Sequence, residues 1–307
     1  LYLNLGIVSG VEQHSEVRFE YGAITLKIFD MFRFKSKLQV VDVGAAAIAE
    51  IPIYKKLIDM ELAHLSAFDG DHRQMEKIVE TYGKERVSFF NQFLFDGNKH
   101  NVFLCSPASG MTSLFKPKKE ALEYFNGFSK LGEVQSIEEI QTTRLDDVPN
   151  LKNVDFLKMD VQGAELEILR NGEKRLKNCL AMQLEVSYFC LYEQQPTFGE
   201  IDVCMRKIGY VPHRFLDVKR WSIAPTIFNG NFRVPGNQLL ESDIIYIKDP
   251  LLLGAISDVQ LQKFVILAHY GFQSIDLCVY LLIEMEKRKL IKVDEHKKYL
   301  ENIKSFS

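Results

Sequence analysis

The stretch Asp155-Phe156-Leu157-Lys158-Met159-Asp160-Val161-Gln162-Gly163-Ala164-Glu165-Leu166-Glu167-Ile168-Leu169 reads as a short strand, a sharp turn and the start of a helix. Asp160 falls at the carboxyl end of the strand, where open α/β sheets bind their ligands. Gly163 lets the chain turn tightly. Glu165 sits in the first helical turn, where a carboxylate suits the helix dipole. Asp160 is also a plain helix cap in this setting, and the residues alone divide the cap and active-site roles evenly.

Outward from this stretch, apolar runs of strand length alternate with helical patterns. Leu38–Val43 (LQVVDV) is a continuous β-branched run, as expected of a buried parallel strand. Ala63–Phe68, Val87–Phe90, Leu180–Val186 and Ile244–Ile247 are further strand candidates, and a start at Gly209–Val211 is another. Helical patterns cover Pro52 to about Leu62, Asp71–Tyr82, Ala164–Leu176 and Phe198–Ile208. Such alternation predicts a doubly wound, mostly parallel α/β sheet with helices on both faces.

Two stretches break it, Asp96–Thr143 and Lys219–Glu241, both rich in Pro and Gly. Their aromatic residues, Trp221 among them, predict packed lids rather than disordered insertions. After Pro250 the pattern is helical, and Leu277, Tyr280, Leu281 and Met285 recur at helical spacing. The expected organisation is an N-terminal segment (1–34) packed on the core, a catalytic domain (35–250) and a helical C-terminal extension (251–307). That extension packs on the sheet or, alternatively, forms a homodimer interface.

The first strand ends in Val40-Val41-Asp42-Val43-Gly44-Ala45, with a glycine where backbone approaches a ligand closely. At the end of the second strand, Asp69 occupies the place of an acid that hydrogen-bonds ribose hydroxyls. Together these elements point to a nucleoside ligand. A nicotinamide cofactor asks for G-x-G-x-x-G at a helix N-terminus to hold its pyrophosphate. Here Gly44 stands alone ahead of Ala45-Ala46-Ala47-Ile48-Ala49, which favours the phosphate-free S-adenosylmethionine. The absence of Tyr-x-x-x-Lys also argues against a NAD(P)-dependent oxidoreductase or epimerase.

Bulk properties add exclusions. A formal net charge of −3 offers no nucleic-acid or anionic-membrane surface. The 5 cysteines are scattered and form no C-x-x-C pair, as expected of reduced thiols. No segment reaches the length of a membrane span. The start lacks the basic-then-apolar pattern of a secretory leader, so a cytoplasmic protein is expected. The chain opens on Leu1 rather than Met, which leaves room for a targeting segment upstream.

The wording of the 155–169 stretch closely resembles the signature of FkbM-family methyltransferases. The resemblance extends over about Val40–Asp249. It takes in the Val-Asp-Val-Gly-Ala opening, Ala67-Phe68-Asp69, Gly110-Met111-Thr112-Ser113-Leu114 and Thr143-Arg144-Leu145-Asp146-Asp147. Gln183-Leu184-Glu185-Val186-Ser187 and Gly209-Tyr210 continue it. It implies a seven-stranded, Rossmann-like class I methyltransferase sheet whose last strand is antiparallel. It also implies O-methylation of a sugar, glycan or other hydroxylated natural product with S-adenosylmethionine. Two departures stand out: the usual second glycine is replaced near Ile48, and the ribose acid is Asp69-Gly70 where Glu-Pro is common.

Methyl transfer is an in-line displacement, and an alcohol acceptor gains from a base. Asp160, Glu185 and His213 are the candidate catalytic residues. Asp42, Gly44 and Ala45 are expected at the methionine end of the cofactor, Asp69 at the ribose, and Asn91 and Gln92 near adenine. Ser113, Asp160 and Gln162 are further candidate contacts. Asp160 and Glu185 can also hold a divalent cation, but no metal is predicted. The rival functional reading is a non-catalytic S-adenosylmethionine-binding or scaffold module.

Overall fold

A computed structural model describes residues 28–32, 34–45, 51–70, 73–106 and 109–304. The expected turn around Ile48 and the expected helix start at Asp71 lie outside the described residues, as does most of the N-terminal segment.

Strands β1 (Leu38–Val43), β2 (Ala63–Phe68) and β3 (Val87–Phe90) begin the sheet, with α1 (Lys55–Asp59) and α2 (Arg73–Tyr82) between them. A short β4 (Phe93–Leu94) leads into β5 (Lys99–Leu104), α3 (Lys119–Tyr124), α4 (Phe128–Leu131) and β6 (Ser136–Thr143). The sheet resumes with β7 (Phe156–Met159), α5 (Glu165–Arg170), α6 (Glu173–Leu176), β8 (Ala181–Ser187), α7 (Phe198–Lys207), β9 (Tyr210–Trp221) and β10 (Gln238–Lys248). Helices α8 (Asp258–Ile266), α9 (Ile275–Lys287) and α10 (Glu295–Lys304) close the described chain.

The main sheet has seven strands in the order β3-β2-β1-β7-β8-β10-β9. All run parallel except β10, which is antiparallel to both β8 and β9. The chain starts at β1, winds outward to β3, then returns to β7 beside β1. That reversal between β1 and β7 is a topological switch point, where a crevice opens outside the carboxyl ends of the strands.

Because side chains alternate across a strand, each face of the sheet builds its own core. Leu38, Val40, Phe156, Ala181 and Ile245 face one core, filled by α8, α9 and α10. Leu277, Leu281 and Met285 are buried there, whereas Tyr280 is 45% exposed. Ile28 and Phe32 belong to the same core. Val41, Val43, Leu157, Met159 and Leu184 face the other core, against α5 and α7. Lys263 of α8 reaches Asp155 at 2.7 Å, a largely buried ion pair that ties the helical extension to the start of β7.

The stretch 96–143 is more ordered than a lid loop. It holds β5 and β6, paired antiparallel, with β4 parallel to β6 in a small second sheet. The apolar signal was weak because most of β6 is solvent-exposed, with Glu138 and Glu139 in its middle. The second interruption shrinks to 222–237, since β9 runs on to Trp221 and β10 begins at Gln238. Edge strand β9 mixes polar and apolar residues and is partly exposed along most of its length, so it carries no continuous apolar run to read. The expected 164–176 helix divides into α5 and α6 at Asn171-Gly172.

Candidate active site

The carboxyl ends of β1, β2, β3 and β7 carry the residues expected to meet a nucleoside. Gly44 follows β1 at φ +78°, and a Cβ there would stand 2.1 Å from the Asp160 carbonyl oxygen. Only glycine lets these two turns approach so closely. Asp69 follows β2, and its backbone N–H is held by the Phe90 carbonyl at 3.3 Å. With its amide oriented to place nitrogen rather than oxygen against the carbonyls of Asp69 (3.2 Å) and Gly70 (2.9 Å), Asn91 donates to both and braces the Asp69 turn. Gln92 Oε1 is buried with no hydrogen-bond partner among the described residues. An orphaned acceptor of this kind is costly. Gly44, Asp69 and Gln92 thus follow three neighbouring strands of the sheet.

Asp42 lies just inside this row and is buried. Both of its oxygens are engaged, one by the Tyr54 hydroxyl and the other by Lys158 Nζ at 3.4 Å. Burial pushes the Asp42 carboxyl up, and Lys158 and Tyr54 oppose the push. Burial also works against the Lys158 charge, but Asp42, Asp160 and Asp243 outweigh it and hold the ammonium above its ordinary value. Lys158 went unnoticed as a site residue in the sequence. Its signal was a lone charge inside the buried run Phe156–Met159, two residues before Asp160 and so on the same face.

Asp160 does not cap α5. The residue at the cap position is Ala164, which makes no side-chain cap bond, and Glu165 instead accepts the Val161 N–H at 3.0 Å. Glu165 is 2% exposed, and burial raises its pKa to about 7. Asp160 is left half-buried at the strand end, its Oδ1 accepting from Gln162 Nε2 at 3.1 Å. The same nitrogen donates to Glu185 Oε2 at 2.9 Å. Glu185 is buried on β8 and lies opposite Asp243 of β10 in the sheet register. Burial drives the Glu185 pKa well above the ordinary glutamate value; Asp160, Glu241 and Glu165 add to the rise, and Lys219 opposes it. The structure therefore brings Asp160, Glu185 and Gln162 together.

It does not bring His213 to them. His213 sits on β9 and its Nε2 is 3.0 Å from Ser274 Oγ, at the start of α9. Ser274 gives its own hydroxyl hydrogen to Asp276 at 2.7 Å, so Nε2 must be the donor in the His213 bond. Its place just after the start of β9 had made this histidine a candidate base, but the bulges against β10 and the helical extension claim its ring.

The 96–143 insertion closes over the carboxyl end of β7. Ser113 Oγ donates to the Gln162 carbonyl at 2.8 Å, and the Phe115 ring lies beside Gly163. Ala45 is buried after β1, its N–H donating to the Phe68 carbonyl at 3.1 Å. Trp221 packs edge-on against Phe128 at 4.9 Å and donates its indole N–H to the Asn126 carbonyl at 2.9 Å. Its ring is therefore a packed part of the lid. Arg144 pairs with Asp147 at 3.7 Å, and Asp146 accepts the N–H groups of Lys174 and Arg175 at the start of α6.

Compared with known families, residues 56–212 match the Methyltransferase FkbM domain, just over half of the chain. The chain belongs to the FkbM methyltransferase family. The sheet order and the single antiparallel strand of this FkbM protein are those of a class I methyltransferase. Among solved structures it is similar to Sp1610 of Streptococcus pneumoniae, described as a candidate tRNA (m1A22) methyltransferase. That likeness has 12% identity and a TM-score of 0.35, covering 91% of this chain and 96% of that one. Magnesium protoporphyrin IX methyltransferase of Synechocystis PCC 6803 aligns at 11% identity and a TM-score of 0.34, over 69% of this chain and 71% of that one. The 1,6-didemethyltoxoflavin-N1-methyltransferase of Burkholderia thailandensis aligns at 11% and 0.35, over 69% and 72%. No curated protein matches the sequence.

All 5 cysteines are free. Among the described residues no group of three or more His, Cys, Asp or Glu side chains is arranged to hold a metal ion. Among them also, no helix is long and apolar enough to cross a membrane.

Proposed function

We propose that this FkbM family member is an S-adenosylmethionine-dependent O-methyltransferase acting on a hydroxyl of a sugar, glycan or other natural product. The observation that carries the reading is the bridged carboxyl pair Asp160–Glu185, set at the strand ends beside the Gly44–Asp69–Gln92 row. When bound, S-adenosylmethionine supplies a methyl group activated by a sulfonium. Asp69 would bind its ribose hydroxyls, the turn carrying Asn91 and Gln92 would lie near its adenine, and the backbone at Gly44 and Ala45 would hold its methionine portion.

The charge balance supports this. Asp42, Asp160, Glu165, Glu185, Glu241 and Asp243 crowd one region with Lys158 and Lys219 as their cations. An excess of carboxyl groups favours a cationic methyl donor and a place for the proton that an alcohol must lose. Asp160 is the half-buried member of the pair and takes the proton of the acceptor hydroxyl on its carboxylate. Glu185, buried and held toward its neutral form, can receive a hydrogen bond from Gln162 and give one to the acceptor. Tyr192, Ser113 and Phe115 cover this end and exclude water.

Calorimetry with S-adenosylhomocysteine, followed by transfer of labelled methyl from S-adenosylmethionine to a panel of sugars and hydroxylated aromatics, tests the reading. Binding together with label on a hydroxyl oxygen is expected. Label found only on nitrogen would overturn the O-methyl assignment, and binding without transfer to any acceptor would favour a non-catalytic module.

A further inference from the structure

Gln162 is held in place from four directions. Its backbone sits in the left-handed region at φ 54°, a conformation that side-chain-bearing residues adopt only under constraint. Its carbonyl accepts from Ser113 Oγ at 2.8 Å. Its side-chain oxygen accepts from the Tyr192 hydroxyl at 2.9 Å, and its side-chain nitrogen spends one hydrogen on Asp160 and the other on Glu185. Tyr192 is 1% exposed and Ser113 3% exposed, so neither anchor is free to follow a moving side chain. A flipped amide would lose the bond from the Tyr192 hydroxyl and turn its oxygen toward Asp160 Oδ1, which favours the present orientation.

We infer that Gln162 is a positioning residue: its amide, anchored by Tyr192 and Ser113, clamps Asp160 and Glu185 at a set separation for the acceptor hydroxyl. The inference rests on the methyltransferase reading for its purpose, although the clamp itself is a property of the protein alone. Two carboxyl groups at one site repel when both are charged, and a neutral donor to both is what lets them stand together. Serine and tyrosine come from the 96–143 insertion and from the segment after β8, so the clamp also couples the cover to the carboxyl pair. The groups facing Glu185 are Asp160 and Glu165 from the β7–α5 turn, Glu241 and Asp243 from β10, Lys219 from β9 and the Tyr192 hydroxyl.

The test uses the full chain with carbon-13-labelled glutamate and follows the Glu185 side-chain carboxyl through a pH titration, assigned with Glu185→Gln. Gln162→Glu replaces the neutral donor by a third carboxyl of the same shape, and the Glu185 midpoint is expected to rise by about 1 unit or more. Gln162→Gly suits the left-handed backbone, so it removes the clamp without adding strain, and is expected to broaden or shift the same resonance. Tyr192→Phe is expected to shift it in the same direction as Gln162→Gly, by less. S-adenosylhomocysteine affinity is read on the same variants and is expected to stay within about threefold of the parent. Folded variants whose Glu185 titration matches the parent would overturn the clamp. A loss of more than about tenfold in S-adenosylhomocysteine affinity in Gln162→Gly would overturn it too, by placing the amide on the donor. If the parent itself fails to bind S-adenosylhomocysteine, the methyltransferase reading falls, while the titration still decides the clamp.

Discussion

Lys158 Nζ stands 3.4 Å from Asp42 Oδ1 across the β1–β7 pair, with side-chain exposures of 17% and 4%. A charge this deep is tolerable only with its partner present. Lys158→Met leaves Asp42 with the Tyr54 hydroxyl but no cation. At pH 7 the expected loss is about 3 kcal/mol of stability, the scale for breaking a buried pair. It shrinks as pH falls, because a protonated Asp42 needs no cation. Urea denaturation of parent and variant at pH 7 and pH 4.5 reads both parts; a loss below about 1 kcal/mol at pH 7 contradicts the account.

Glu165 gives a pH dependence of opposite sense to an ordinary salt-bridged acid. Its folded pKa, raised by burial to about 7, lies above its reference value of 4.5. The folded state therefore holds the proton more tightly than the unfolded state. This group costs nothing below about pH 4.5, and its cost grows as pH rises, levelling above about pH 7. The full difference is on the order of 3 kcal/mol. Glu165→Gln keeps an oxygen for the Val161 N–H and removes the charge. Its stability gain over the parent is expected to be near zero at pH 4 and to reach a plateau by pH 8. A gain that is independent of pH would contradict the buried-acid account.

The sheet was legible because β1, β2, β7 and β8 are buried on both faces and therefore read as continuous apolar runs. β5, β6 and all but the start of β9 were hidden by the opposite circumstance, exposure that lets Lys, Arg and Glu occupy strand positions. Asp160 and Glu185 could be found because one directly follows a buried strand and the other lies two residues before the end of its neighbour. Their meeting through Gln162 could not, since it depends on a left-handed turn and on Tyr192, which is 30 residues away in sequence. Nothing in the residues around Tyr192 distinguishes it from a core tyrosine. His213 misled for a related reason: a place just after a strand start does not say which neighbouring helix takes the side chain.

His213 is expected to matter for the helical extension alone. His213→Ala loses the Ser274 bond and the ring contact with Phe272, at a cost of about 1 kcal/mol. S-adenosylhomocysteine affinity is expected to remain within about twofold of the parent. Thermal denaturation and calorimetry on the same preparation check the two statements. A large loss of affinity with no loss of stability would return His213 to the site.

The central claim is that a methyl-donor nucleoside lies across the ends of β1, β2 and β3, held at its ribose by Asp69. Calorimetric titration of S-adenosylhomocysteine into the parent and into Asp69→Ala tests it most directly. The account predicts one site per chain in the parent and affinity weaker on the order of 100-fold in the variant, the scale of two hydrogen bonds to a charged acceptor. No binding to the parent at millimolar ligand, or equal affinity in the two proteins, would contradict it.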